Sequence, residues 1–135
     1  MGYIPPMLSL ILVFAGGGTG AVARYLTGLA AMRAFGGGFP VATIAVNVAG
    51  SFAMGLLIGV LARRAGEVGH IHLLVATGFL GGFTTFSAFS LDAAFLWQRG
   101  DVQAAIVYVF GSVILSLLAV VAGLAVMRFS AGGAV

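Results

Sequence analysis

The sequence predicts an all-α membrane protein with four transmembrane helices, the third broken near its middle, that assembles as an antiparallel, dual-topology homodimer. Of its 135 residues, 61% are hydrophobic and 7% are charged, so the chain has too few polar groups to cover a water-soluble globule. Its apolar residues fall into four stretches of the length that a bilayer requires. Its arginines are divided almost evenly between the two membrane sides that this layout creates.

Charged and turn-forming residues separate the four stretches. Pro40 is well placed to open the second span, because proline is favoured in the first turn of a helix. A polar loop, 63–72, precedes the third span, and a turn, 98–101, precedes the fourth. The chain, 1–135, is therefore expected to form a single transmembrane domain with spans at about 6–32, 40–62, 73–97 and 102–127.

The basic residues do not select an orientation. Cytoplasmic loops of membrane proteins carry an excess of lysine and arginine. Here one side of the predicted layout holds Arg63, Arg64 and Arg128, and the other holds Arg33 and Arg99. This balance predicts insertion in both orientations. Since four short helices enclose little space for a pathway, it also favours an antiparallel homodimer about a twofold axis.

Glycines recur at four-residue intervals, the spacing that lets membrane helices approach closely. The pairs are Gly16 and Gly20, Gly55 and Gly59, and Gly78 and Gly82. They predict tight helix packing and say nothing about chemistry by themselves.

The stretch 78–90 in the third span combines glycines, phenylalanines and hydroxyl residues within an uncharged segment, 73–91. Gly81 and Gly82 are expected to interrupt the helix there. Such an interruption would leave the carbonyl groups before it free to bind a small cation such as sodium. The alternative is a kink that a neighbouring helix fills.

Two polar stripes lie on the other spans, each made of residues four apart that share one helix face. They are Thr43, Asn47 and Ser51 on the second span and Tyr108, Ser112 and Ser116 on the fourth. Because an unpaired polar group in a bilayer costs free energy, the stripes either bond to each other or line a wet path. Serine and threonine can also bond the carbonyls of their own helix. The Asn47 amide has two N–H donors that are harder to satisfy in this way.

The inventory of charges favours an anion as the ligand. Asp92 lies toward the end of the third span, and Arg24 is the one deep charge. Hydroxyl, amide and phenyl-edge hydrogens all present positive charge to a ligand. Phe86 and Phe89 are three residues apart and share a helix face, although phenylalanines in membrane helices also commonly face lipid.

Three segments resemble the Fluc/CrcB family of fluoride channels. They are TGFLGGFTTFSAFS at 77–90, TIAVNVAGSFAMG at 43–55 and GGGTGAVARY at 16–25, and with the four-span layout they cover essentially the whole chain. The resemblance implies a fluoride-selective channel in the inner membrane of a microbial cell. Such a channel would export fluoride by passive flow through two pores of an antiparallel homodimer.

The resemblance also implies roles for individual residues. The pore would be lined by Phe86, Phe89, Asn47, Ser87, Tyr108, Ser112 and Ser116. Arg24 and Asp92 would lie in an aqueous vestibule. The backbone carbonyls of Gly81 and Thr84, from both subunits, would hold a structural sodium ion. Ala88 departs from the family pattern, which usually has a hydroxyl residue there, so that donor is absent or replaced by water or Ser87.

Other functions are compatible with the same layout. A small four-helix, proton-coupled multidrug antiporter would have a similar size and topology, but it should carry a deep glutamate in its first span. A scaffold subunit whose glycine faces only pack against other proteins would conduct no ions. An enzyme is disfavoured because the chain offers no combination of nucleophile, base and metal ligands. Six scattered arginines also do not resemble a nucleic-acid surface.

Overall fold

The computed structural model describes residues 4–63 and 69–132. Within these residues, four helical spans are long and apolar enough to cross a membrane, which confirms the all-α, four-span fold class. Several of them extend a few residues beyond the ends expected from the sequence. Residues 64–68, part of the predicted polar loop, lie outside the described residues.

The first two helices are α1, Pro6–Phe35, and α2, Val41–Leu61. Pro6 lies in the first turn of α1, where its missing N–H removes no helical hydrogen bond. α1 ends at Gly36, which has a φ of 72° and donates its N–H to the Met32 carbonyl. This left-handed conformation is one that glycine adopts without steric cost.

The third span, Gly69–Gln98, is not one regular helix. It consists of a helical turn, Gly69–Ile71, a π-helical segment, His72–Leu80, a second turn, Gly81–Phe83, and helix α3, Phe86–Gln98. Between the second turn and α3, Thr84 and Thr85 have extended backbone, with ψ angles of 157° and 123°.

The prediction that Gly81 and Gly82 interrupt the helix is wrong. Both glycines belong to a helical turn, and Gly81 has helical φ and ψ of −64° and −36°. Gly82 serves close packing instead, since a Cβ there would collide with the Gly17 carbonyl oxygen on α1. Extended backbone does not require glycine, and β-branched threonine favours it.

The last helix, α4, is Val102–Gly132. It follows a turn at Gly100, which has a φ of 81°. Asp101 caps the helix, because its Oδ1 accepts a hydrogen bond from the Ala104 N–H at 3.2 Å. Such a cap satisfies one of the N–H groups that a helix start leaves without a partner.

Glycine contacts arrange the spans in two closely packed pairs. α1 lies along the π-helical segment, and α2 lies along α4. A Cβ at Gly16 would collide with the Leu74 carbonyl oxygen, and one at Gly55 with the Val120 carbonyl oxygen. At the other predicted glycines an added Cβ would also come closer than 3.0 Å to a neighbouring segment, namely at Gly20, Gly59, Gly78 and Gly82. The predicted tight packing at these glycines is confirmed.

Candidate functional site

A cavity of about 420 Å³ lies between α2, the start of α3 and α4. Its polar lining comes from Asn47, Ser51, Thr84, Thr85, Ser112 and Ser116, and Phe86 and Phe89 form part of its apolar lining. Among the described residues that line it, none is charged. The cavity thus combines neutral hydrogen-bonding groups with aromatic rings.

Asn47 joins α2 to the extended backbone at Thr85. Its Nδ2 donates to the Thr85 carbonyl at 3.0 Å, and its Oδ1 accepts from the Thr85 N–H at 2.8 Å. The side-chain amide therefore supplies the partners that a helix would otherwise give this residue. Since an amide has two N–H donors, one remains for a ligand in the cavity.

The hydrogen bonds around Thr85 deprive two carbonyl groups of their usual helical donors. In a continuous helix, the Thr85 N–H would bond the Gly81 carbonyl and the Ala88 N–H would bond the Thr84 carbonyl. Here the Thr85 N–H donates to Asn47, and the Ala88 N–H donates to Thr85 Oγ1 at 3.2 Å. The two carbonyls are those of the predicted sodium ligands.

Arg24, on α1, bonds a carbonyl of the same region. Its Nε donates to the Gly82 carbonyl at 3.1 Å, and the side chain is partly buried. This contact uses one of the five N–H donors of the guanidinium group. Arg24 is not among the described residues that line the cavity.

The two phenylalanines predicted to line a pore are close together. The ring centroids of Phe86 and Phe89 are 5.4 Å apart with the rings tilted by 43°, and both side chains line the cavity. Phe89 is 8% exposed and packs against the Tyr108 ring at 5.3 Å. Phe86 is 78% exposed, so one wall of the cavity is open to whatever covers this side of the helices.

Ser112, on α4, has a buried hydroxyl without a partner in the described part of the chain. The residue is 4% exposed and lines the cavity. Elsewhere Thr19, Thr27 and Ser90 each donate to the carbonyl four residues earlier. The Ser112 hydroxyl is therefore available to a ligand, and so the cavity offers at least one buried donor that no group in the described residues uses.

Asp92 connects three helices beyond one end of the cavity. Its Oδ2 accepts hydrogen bonds from Thr43 Oγ1 at 2.6 Å and from Tyr108 Oη at 3.1 Å. Tyr108 is fully buried, and because its hydroxyl hydrogen is directed at Asp92, it presents only lone pairs to other groups. Asp92 also lines a second cavity of about 460 Å³, together with Thr43 and Arg99.

The predicted site residues divide into two groups. The cavity lining brings together Asn47, Phe86, Phe89, Ser112 and Ser116. The described lining does not include Ser87, Tyr108, Arg24 and Asp92. The hydroxyl of Ser87 instead lies 3.2 Å from Thr85 Oγ1, on an exposed part of α3.

Sequence reasoning gave no role to two polar residues of the cavity, Thr85 and Ser51. Thr85 caps α3, since its hydroxyl accepts from the Ala88 N–H, and its backbone pairs with Asn47. A threonine three residues before such an N–H is a typical sequence signal of a helix N-cap. Ser51 belonged to the predicted stripe on α2 but was given no role, and it lines the cavity.

The fold and the cavity define the class: a multi-pass integral membrane protein whose described helices line a neutral cavity that carries hydrogen-bond donors. The family model described as CrcB-like protein, Camphor Resistance (CrcB), matches residues 11–124. The chain therefore belongs to the CrcB family.

Curated relatives resemble almost the whole chain. A protein of Chelativorans sp. (strain BNC1) is 57% identical over 122 residues, which is 90% of this chain and 98% of the relative. A protein of Mesorhizobium japonicum is 52% identical over 122 residues, with the same coverage of both chains. Both relatives are named fluoride-specific ion channel FluC. A protein of Nitrobacter hamburgensis, named fluoride-specific ion channel FluC 2, is 48% identical over 121 residues, again 90% of this chain and 98% of the relative.

Proposed function

We propose that this protein is a fluoride-selective ion channel that exports fluoride across the cell membrane by passive flow. The main observation in support is the buried Ser112 hydroxyl, which has no partner in the described part of the chain and faces a cavity also lined by Asn47 and Ser116. Relatives in the same family are named for fluoride, and that name supports fluoride as the anion.

The chemistry of the cavity suits a small, strongly hydrated anion. Fluoride gives up its water only where several donors replace it, and conduction requires that none of them hold it too tightly. Hydroxyl and amide donors on Ser112, Ser116 and Asn47 meet both conditions, because they are neutral. The positive ring edges of Phe86 and Phe89 add weak attraction without a competing charge.

The direct test is ion efflux from liposomes that contain only this protein. We expect fluoride to leave rapidly and chloride to be retained. Phe86→Ile, which removes the ring edge from the cavity, should abolish fluoride efflux. Phe110→Ile is a matched control, because Phe110 is also exposed and does not belong to the cavity lining. Equal passage of chloride would refute the selectivity.

An antiparallel homodimer with two pores belongs to the same proposal. Phe86, Val113 and Leu117 line the cavity and yet are 78%, 44% and 60% exposed. A second copy related by a twofold axis would cover these side chains and complete the wall of each cavity. The near balance of arginines across the membrane is compatible with both orientations.

A break in the third membrane helix and a structural sodium ion complete the proposal. The extended Thr84 and Thr85 would form the break, and the carbonyls of Gly81 and Thr84 would hold the ion. These carbonyls fit sodium because both lack their helical donors, and unwound carbonyls are typical sodium ligands. A twofold axis would supply the same pair from a second copy.

Sodium bound there would supply a positive charge that offsets the repulsion between anions in two nearby pores. We expect the melting temperature of the purified protein to rise with sodium chloride relative to N-methylglucamine chloride at equal ionic strength. Identical melting temperatures in the two salts would contradict the sodium site.

A further inference from the structure

The polar stripes of α2 and α4 run side by side in the same direction. At one end, Thr43 and Tyr108 bond the same oxygen of Asp92. At the other end, a Cβ at Gly55 would meet the Val120 carbonyl. The sequence offset from Thr43 to Tyr108 equals the offset from Gly55 to Val120. Helices α2 and α4 therefore keep the same register along this length.

This register pairs the two stripes one turn at a time. It sets Asn47 level with Ser112, and Ser51 level with Ser116. All four of these residues line the 420 Å³ cavity. The first pair lies next to the cluster at Asp92, and the second lies one helical turn further along the cavity.

The Ser51 hydroxyl has no hydrogen-bond partner in the described part of the chain. A serine in a helix can donate to the carbonyl four residues earlier, as Ser90 does at 2.9 Å. The hydrogen bonds found within residues 4–63 and 69–132 include none from the Ser51 or Ser116 hydroxyl. Ser51 is partly buried and lines the cavity.

We propose that Ser51 is a further anion-binding residue, whose hydroxyl forms with that of Ser116 a binding position one turn beyond Asn47 and Ser112. The proposal rests on the channel function proposed above and adds a residue on α2 to it. Two hydroxyls from facing helices can donate to one small anion at the same time. The unpartnered Ser112 hydroxyl in the same cavity is independent support for a ligand that accepts hydrogen bonds.

Conduction requires a succession of binding positions that each hold the ion weakly. An ion that meets donors only at Asn47 and Ser112 would have to leave them directly for the apolar side chains of Met54 and Val120, which also line the cavity. Ser51 and Ser116 supply replacement donors at that step, so the ion is passed from one partly solvated position to the next.

The test compares the fluoride dependence of efflux for the unmodified protein, Ser51→Ala, Ser51→Thr and Ser90→Ala in liposomes. Loss of a hydrogen bond to a charged ligand should raise the fluoride concentration at half-maximal efflux by about tenfold in Ser51→Ala. Ser51→Thr keeps the hydroxyl and should stay within about twofold of the unmodified protein. Ser90→Ala, whose hydroxyl is already bonded to the Phe86 carbonyl, should behave like the unmodified protein.

The outcomes separate this inference from the channel function. If the unmodified protein releases no fluoride, the channel function fails and Ser51 loses its role with it. If the unmodified protein conducts and Ser51→Ala has the same half-maximal concentration, only the role of Ser51 is refuted. A lower melting temperature in Ser51→Ala with unchanged fluoride dependence would show that Ser51 is a packing residue, and this also overturns the inference.

Discussion

Asn47 and Ser112 are both polar residues of the same cavity, but the protein satisfies them in opposite ways. Asn47 uses its amide oxygen and one N–H to hold the Thr85 backbone. Ser112 is buried with no partner in the described part of the chain, an arrangement that costs free energy in the absence of a ligand. The first residue therefore supports the structure as well as lining the cavity, whereas the second is free for the ligand alone.

We predict that Ser112→Ala lowers fluoride efflux about tenfold while leaving the protein as stable as before or more stable by about 1 kcal/mol. The reason is that alanine removes a donor to the ion and also removes an unpaired buried hydroxyl. Efflux from liposomes and thermal unfolding in detergent measure the two effects. Loss of stability with normal efflux would mean that the Ser112 hydroxyl has a structural partner.

Asn47→Ala should instead lower both efflux and stability. It leaves the N–H and the carbonyl of Thr85 without partners, at a cost of about 1–3 kcal/mol for each group that stays buried. The same two measurements apply, and the contrast with Ser112→Ala is the informative result. An unchanged unfolding temperature would contradict the role of Asn47 in holding Thr85.

Individual members of the polar stripes were predictable from their spacing, but their partners were not. Residues four apart share a helix face whatever the tertiary structure is. The bonds from Asn47 to Thr85 and from Thr43 to Asp92 join residues from different spans. Their formation depends on the rotation of each helix, which an all-apolar sequence does not specify.

At the scale of helices and segments, glycine sets the distance between α1 and the third span. Gly20 and Gly17 lie directly against backbone atoms of Phe79 and Gly82, so these helices meet through main chain rather than side chains. In a bilayer this close contact replaces the hydrophobic driving force that is absent between apolar helices.

We predict that Gly20→Ala destabilises the protein by about 1–3 kcal/mol or more, because its Cβ would overlap the Phe79 carbonyl group and the backbone has little freedom to move. Gly18→Ala is a matched control on the same helix, since a Cβ at Gly18 meets nothing within 4 Å. Thermal unfolding and the monodisperse fraction in detergent measure the difference. Equal stability of the two variants would show that α1 and the third span are not in contact as described.

The segment that joins the second helical turn to α3 shows what hydropathy cannot detect. Glycines suggested the position of an interruption, but the extended residues are Thr84 and Thr85. Gly82 packs against α1. The Thr85 N–H and carbonyl bond the Asn47 amide, and the Thr85 hydroxyl accepts a hydrogen bond from the Ala88 N–H. The extended conformation therefore depends on a long-range partner, Asn47, as well as on the local preference of threonine for extended backbone.

At the scale of the whole molecule, the proposed dual topology can be tested because the chain has no cysteine. Gly38 lies in the exposed loop between α1 and α2, and a Cβ there meets nothing within 4 Å. We predict that an impermeant thiol reagent modifies about half of the Gly38→Cys molecules from each side of the membrane, since neither side is favoured by the arginines. Modification from one side only would refute dual topology.

The sequence by itself determined three properties of the protein. It showed that this is a membrane protein with four spans, it identified the glycines that allow close packing, and it identified the residues that form the polar stripes. These properties follow from composition and from helical periodicity, both of which are local. Only the tertiary structure decided which stripe residues face one cavity, that Asn47 holds Thr85, and that Ser112 stays without a partner in the described chain. These properties depend on the rotation and register of neighbouring helices, which are set by backbone contacts between residues far apart in the chain.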